Sequence, residues 1–122
     1  DMENKKTLVI GASSNPARYS YLAVQKLSAH KFPVVALGLK KGLIGSVTME
    51  TERKHFDQID TITLYINPTH QKDYYNFILS LQPKRIIFNP GTENDELFEL
   101  ARQNGILPVE ACTLVLLSTG QY

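Results

Sequence analysis

Short apolar runs alternate along this chain with stretches of helical periodicity, and that alternation narrows the fold more than any other feature. Thr7-Leu8-Val9-Ile10, Pro33-Val34-Val35-Ala36-Leu37, Thr61-Ile62-Thr63-Leu64-Tyr65-Ile66, Arg85-Ile86-Ile87-Phe88 and Ile106-Leu107-Pro108-Val109 read as strands. They are apolar or β-prone nearly throughout, as strands covered on both faces are. Pro33 opens its run, where a missing donor is tolerated. A first helix is predicted over about residues 18–29, with Tyr19, Leu22, Ala23 and Leu27 on one face. Asn67 as N-cap and Pro68 at the first helical position open a second, in which Tyr74, Phe77, Ile78 and Leu81 recur at helical spacing until Pro83 stops it. Thr92-Glu93-Asn94-Asp95 has the pattern of a capping box before a third, whose apolar face is Leu97, Leu100 and Ala101 and whose stop is Gly105. Residues 39–58 are the least regular stretch and read as a loop with a short strand near Ser46-Val47-Thr48. Thr113 to Ser118 closes the order as a short helix or strand.

Strand and helix in alternation specify a parallel sheet with right-handed crossovers. The expected fold is therefore α/β: a three-layer, Rossmann-like, doubly wound and mainly parallel sheet of five or six strands, with helices on both faces. A length of 122 residues suits one domain. The expectation is a tail over residues 1–6 and a single Rossmann domain over 7–122, with no internal repeat or linker.

Composition removes several function classes. Hydrophobic residues make up 43% of the chain, enough for a core, and the formal net charge of +1 gives no reason to expect a general nucleic-acid binder. Cys112 is the only cysteine, so no disulfide framework forms within the chain, which fits a cytoplasmic setting. No apolar run is long enough to span a membrane, and residues 1–6 lack the apolar core of a signal peptide.

Parallel strands end on one edge of their sheet, and ligands of open α/β sheets bind in the crevice beyond those ends. The informative residues are therefore Gly11-Ala12-Ser13-Ser14-Asn15, Gly38-Leu39-Lys40, Asn67-Pro68-Thr69, Asn89-Pro90-Gly91 and Glu110-Ala111-Cys112. The first of these loops carries the most chemistry. Gly11 permits a tight turn and close approach of backbone to ligand, and Ala12 and Ser13 leave room beside it. The N–H groups of the loop and of the following helical turn suit an anion, the Ser13 and Ser14 hydroxyls add donors, and Arg18 offers charge for a phosphate. The plainer alternative is a strand-to-helix turn with no ligand.

The loop is not the dinucleotide fingerprint, because Ser13 and Pro16 stand where glycines belong. Nor does an acidic residue end the second strand, as an NAD site expects; Lys40 and Lys41 lie there instead. A basic pair favours a further phosphate on or near the ribose, which coenzyme A and NADP both carry. Solvated loop charge is the competing reading.

Gly11-Ala12-Ser13-Ser14-Asn15-Pro16-Ala17-Arg18-Tyr19-Ser20-Tyr21 resembles the G-A-S-x-N-P-x-R-x-S-Y opening of the small stand-alone CoA-binding proteins, Rossmann domains similar to the CoA-binding domain of the succinyl-CoA synthetase α subunit. Leu43-Ile44-Gly45 and the span from Ala101 to Cys112 resemble later family motifs. The resemblance implies coenzyme A with its pyrophosphate against Ser13–Asn15 and the helix that carries Arg18 and Ser20. It implies the adenosine end toward the end of the second strand, and Asn67-Pro68 and Asn89-Pro90-Gly91 facing the middle and pantetheine arm. It also implies a carrier, sensor or regulatory module without turnover. The chain departs from the family where relatives end the second strand with a V-N-P-like segment; here Leu37-Gly38-Leu39 stands instead.

Other candidates are weaker. His30, His55, His70 and Cys112 have no metal-ligand spacing. His70, Cys112 and Glu110 are individually capable of acid–base or thiol chemistry, without an evident nucleophile–base–orienter set. An NADP- or acyl-CoA-dependent enzyme, and an interaction protein or homodimer that no longer binds a nucleotide, remain the alternatives.

Overall fold

The computed structural model describes residues 5–122. The first four residues of the expected tail lie outside that range. Lys5 and Lys6 are tied down: Lys5 Nζ donates to the Tyr122 carbonyl at 2.8 Å and Lys6 Nζ to that of Asp57 at 2.8 Å.

Seven strands form one sheet: β1 (Thr7–Ala12), β2 (Val34–Gly38), β3 (Gly42–Ile44), β4 (Val47–Glu50), β5 (Thr61–Leu64), β6 (Arg85–Phe88) and β7 (Leu107–Glu110). The spatial order is β3-β4-β2-β1-β5-β6-β7. Every pairing is parallel except β3 with β4. With β3 set aside, the parallel strands follow the Rossmann order, which reverses direction at β1.

The irregular stretch after β2 forms two strands, β3 and β4, in place of the single short strand expected near Ser46-Val47-Thr48. Leu43 pairs with Thr48 and Ile44 with Val47 across a tight hairpin whose Gly45 has φ +59°. A glycine at that place gives the twist a two-residue hairpin needs. The pair escapes a periodicity reading because it is too short to show alternation.

The helices are α1 (Tyr19–Ala29), α2 (Pro68–Gln71), α3 (Tyr75–Ser80), α4 (Asp95–Gln103) and α5 (Thr113–Ser118). The single helix expected after Asn67 is broken into α2 and α3 by a 3-10 turn over Lys72–Tyr74. At the end of α2, Gln71 is fully buried and sends its amide to the carbonyls of Ile66 at 2.9 Å and Thr92 at 2.7 Å. The cap of α4 is Asn94, whose side chain accepts from the Leu97 N–H, and not Thr92. Thr92 instead bonds the Asn89 carbonyl at 2.8 Å, so a tight loop displaces the capping box by two residues.

Two apolar clusters sandwich the sheet. Leu8, Ile10, Ile62, Leu64, Ile86 and Phe88 face Ile78, Leu97 and Ala101; Val9, Ala12, Ala36 and Ile87 face Val24, Leu27 and Leu117. Alternation along β1 explains the division of Leu8 and Ile10 from Val9. A register shift between Ile10 and Ala12 then brings Ala12 to the face of Val9.

Candidate functional site

The order of the sheet reverses between β1 and β5, so the crevice lies beyond their ends. Gly11 turns there with φ +93°. A Cβ on Gly11 would stand 2.7 Å from the Tyr65 carbonyl oxygen and 2.9 Å from Ile66 Cγ2. The close approach inferred for Gly11 is therefore to the backbone of the neighbouring strand end, and the glycine draws the two walls together.

Beyond Gly11 the loop braces itself. Asn15 N–H donates to Ser13 Oγ at 3.1 Å, Ala17 N–H to Asn15 Oδ1 at 3.0 Å, and Arg18 N–H to the Asn15 carbonyl at 3.0 Å. The N–H groups of Ser13, Ser14, Tyr19 and Ser20 donate to no acceptor among the described residues. Arg18 is the N-cap residue of α1, one place before its expected position in the first turn; it is extended and its side chain makes no cap bond. No acidic residue occupies the first turn. By contrast, Asn67 caps α2 and Asn94 caps α4. The start of α1 thus presents unpartnered donors and the positive end of a helix dipole at the crevice, with the exposed Arg18 beside it.

The other candidate residues divide by how their polar groups are engaged. Ser14 is exposed, whereas Ser20 is only 4% exposed, and its hydroxyl, like its N–H, donates to no acceptor among the described residues. Ala12 is buried and completes β1. Asn67 accepts the His70 N–H at 3.0 Å, with Pro68 following at the first helical position. Asn89 is buried, donating to Thr63 Oγ1 at 2.6 Å and the Leu64 carbonyl at 2.9 Å while accepting the Thr113 N–H at 2.9 Å. Its amide is occupied in joining β5, β6 and α5. Gly91, at φ +91°, donates its N–H to Glu93 at 2.9 Å. Lys40 and Lys41 stand exposed on the turn after β2, as do Glu110 at the end of β7 and His70 on α2. Cys112 is half-buried at the N-cap of α5, and among the described residues no cluster of metal-ligating side chains forms.

Sequence reasoning passed over Tyr65. Its hydroxyl is buried without a hydrogen-bond partner, and that burial pushes the phenol up to about 12. The hydroxyls of Thr63 and Thr113, which bond each other at 2.8 Å, lie close enough to offset part of that rise. Only the pairing of distant segments creates this environment, so no local pattern marks it.

A family model described as CoA binding domain matches residues 5–118. The chain belongs to that CoA-binding domain family. A crystal structure of an uncharacterized protein is 50% identical, covers 99% of this chain and 100% of its own, and superposes with a TM-score of 0.96. A hypothetical protein from Pyrococcus horikoshii OT3 is 22% identical over 92% of this chain and 80% of its own, with a TM-score of 0.82. A protein from Thermus thermophilus is 17% identical over 98% and 91%, with a TM-score of 0.85. These last two establish likeness of fold alone. No curated protein matches the chain.

Proposed function

We propose that residues 7–122 form a binding unit for coenzyme A or an acyl-CoA, acting as a carrier, sensor or regulatory module without turnover of its own. The observation that carries this reading is the uncapped start of α1 at the topological switch point, in a chain of the CoA-binding domain family. The pyrophosphate lies against the N–H groups of Ser13, Ser14, Tyr19 and Ser20, with Arg18 supplying charge. The ligand runs from there toward Lys40 at its adenosine end and past Asn67-Pro68 at its pantetheine end. Asn89 and Gly91 shape the floor and rim without lending side-chain donors.

A ligand that binds only the native state raises the melting temperature. The test is thermal unfolding with CoA, acetyl-CoA, NAD, NADP and ATP, on the natural chain and on Arg18→Ala. A rise with CoA or acetyl-CoA, smaller in the variant, is expected. A flat response to all five rejects the reading.

A further inference from the structure

We infer that Gln71 is a positioning residue of the crevice: its buried amide clasps the loop after β5 to the loop after β6, and so governs how much the pantetheine arm adds to CoA affinity. The inference rests on the CoA reading above. It concerns a side chain that cannot touch the ligand, since Gln71 is 0% exposed.

Three hydrogen bonds make the clasp. Gln71 Nε2 donates to the Ile66 carbonyl at 2.9 Å and to the Thr92 carbonyl at 2.7 Å, while Oε1 accepts from Asn94 Nδ2 at 2.9 Å. Both amide protons and the oxygen are engaged, as a fully buried amide requires. Ile66 lies between β5 and α2; Thr92 and Asn94 lie between β6 and α4. One side chain therefore holds together the two loops that flank the arm. Asn94 extends the connection. It accepts the Leu97 N–H at 3.2 Å as the cap of α4 and donates to the Tyr75 hydroxyl at 2.9 Å, which in turn donates to Glu96 at 3.0 Å.

The clasp acts on one side of the crevice. The phosphate loop is braced by bonds among Ser13, Asn15, Ala17 and Arg18, none of which passes through Gln71. Among the described residues, the turn over 39–41 shares no hydrogen bond with the clasp either. A wall fixed before binding has less freedom to lose when ligand arrives. Cutting the clasp frees the wall along the arm and leaves the phosphate and adenosine ends as they were.

The experiment titrates the full chain with CoA and with adenosine 3′-phosphate 5′-diphosphate, which is CoA without its pantetheine arm. The natural chain is compared with Gln71→Met, which keeps length but loses every donor, and with Asn94→Asp, which keeps the cap acceptor of α4 but loses the donor to Gln71. CoA should bind the natural chain more tightly than the armless nucleotide. In Gln71→Met that preference should fall roughly 3- to 10-fold, the worth of one net hydrogen bond, with affinity for the armless nucleotide unchanged. Asn94→Asp should lower it in the same direction and less. A merely structural role would weaken both ligands alike. Equal loss of both, an undiminished preference in both variants, or no preference in the natural chain overturns the inference while leaving nucleotide binding intact. Should Gln71→Met fail to fold, Asn94→Asp alone decides. Binding of neither ligand to the natural chain overturns the CoA reading, and this inference with it.

Discussion

At the scale of single residues, conformation and burial decide more than charge. Gly11 combines a positive φ with a carbonyl 2.7 Å from where a Cβ would sit, so Gly11→Ala meets both strain and collision. The variant should lose roughly 1–3 kcal/mol in urea unfolding; natural stability would show that β1 and β5 are not drawn together through this glycine. Tyr65 argues the other way. Removing a buried hydroxyl that has no partner relieves a desolvation penalty, so Tyr65→Phe should be neutral or stabilising near neutral pH. The sign at high pH follows from linkage. The phenol releases its proton near its ordinary value of 10 when unfolded but only at about 12 when folded. Ionisation of this phenol therefore leaves stability untouched below pH 10 and erodes it as pH rises to about 12. Unfolding midpoints in urea, compared at neutral and alkaline pH, should decline less steeply for Tyr65→Phe. The remaining slope would include Tyr122, which burial also raises. An equally steep decline in the variant would contradict the assignment.

At the scale of elements, the strands and helices with strong local signals were legible and the short ones were not. β1 and β6 announce themselves as apolar runs, and Asn67-Pro68 marks the start of α2 by the chemistry of its cap. The β3–β4 hairpin has no periodicity to read, and the 3-10 turn at Lys72–Tyr74 arises where buried Gln71 is anchored to distant carbonyls. The same limit applied to Asn89. Its position after β6 was evident, but its partners on β5 and α5 come from segments about 25 residues away. Replacing it by alanine strands the Thr113 N–H and the Leu64 carbonyl in the interior. Asn89→Ala should cost roughly 3 kcal/mol and loosen the start of α5, seen as lost stability and faster amide exchange at Thr113. A loss below about 1 kcal/mol would show that water replaces the side chain at this junction.

At the scale of the whole molecule, the chain order fixes where the site can be. The reversal at β1 opens one crevice, and the phosphate loop after β1 lies on it because the first strand is also the central one. That position was readable from the alternation of apolar runs and from Gly11-Ala12-Ser13-Ser14-Asn15-Pro16. What required three dimensions was the division of labour among the candidates: free donors at the start of α1, an engaged amide oxygen at Asn67, a fully engaged amide at Asn89, and the start of β3 beside Ser14. Among the described residues no helix is long and apolar enough to cross a membrane. The most direct measurement is an amide-resolved NMR titration of the chain with CoA. Binding in this crevice requires the largest shifts at Ser13, Ser14, Tyr19 and Ser20, with smaller ones from Gly38 to Gly42 and at Ile66 and Asn67. Shifts centred elsewhere, or none at millimolar CoA, would contradict a CoA site at the end of β1.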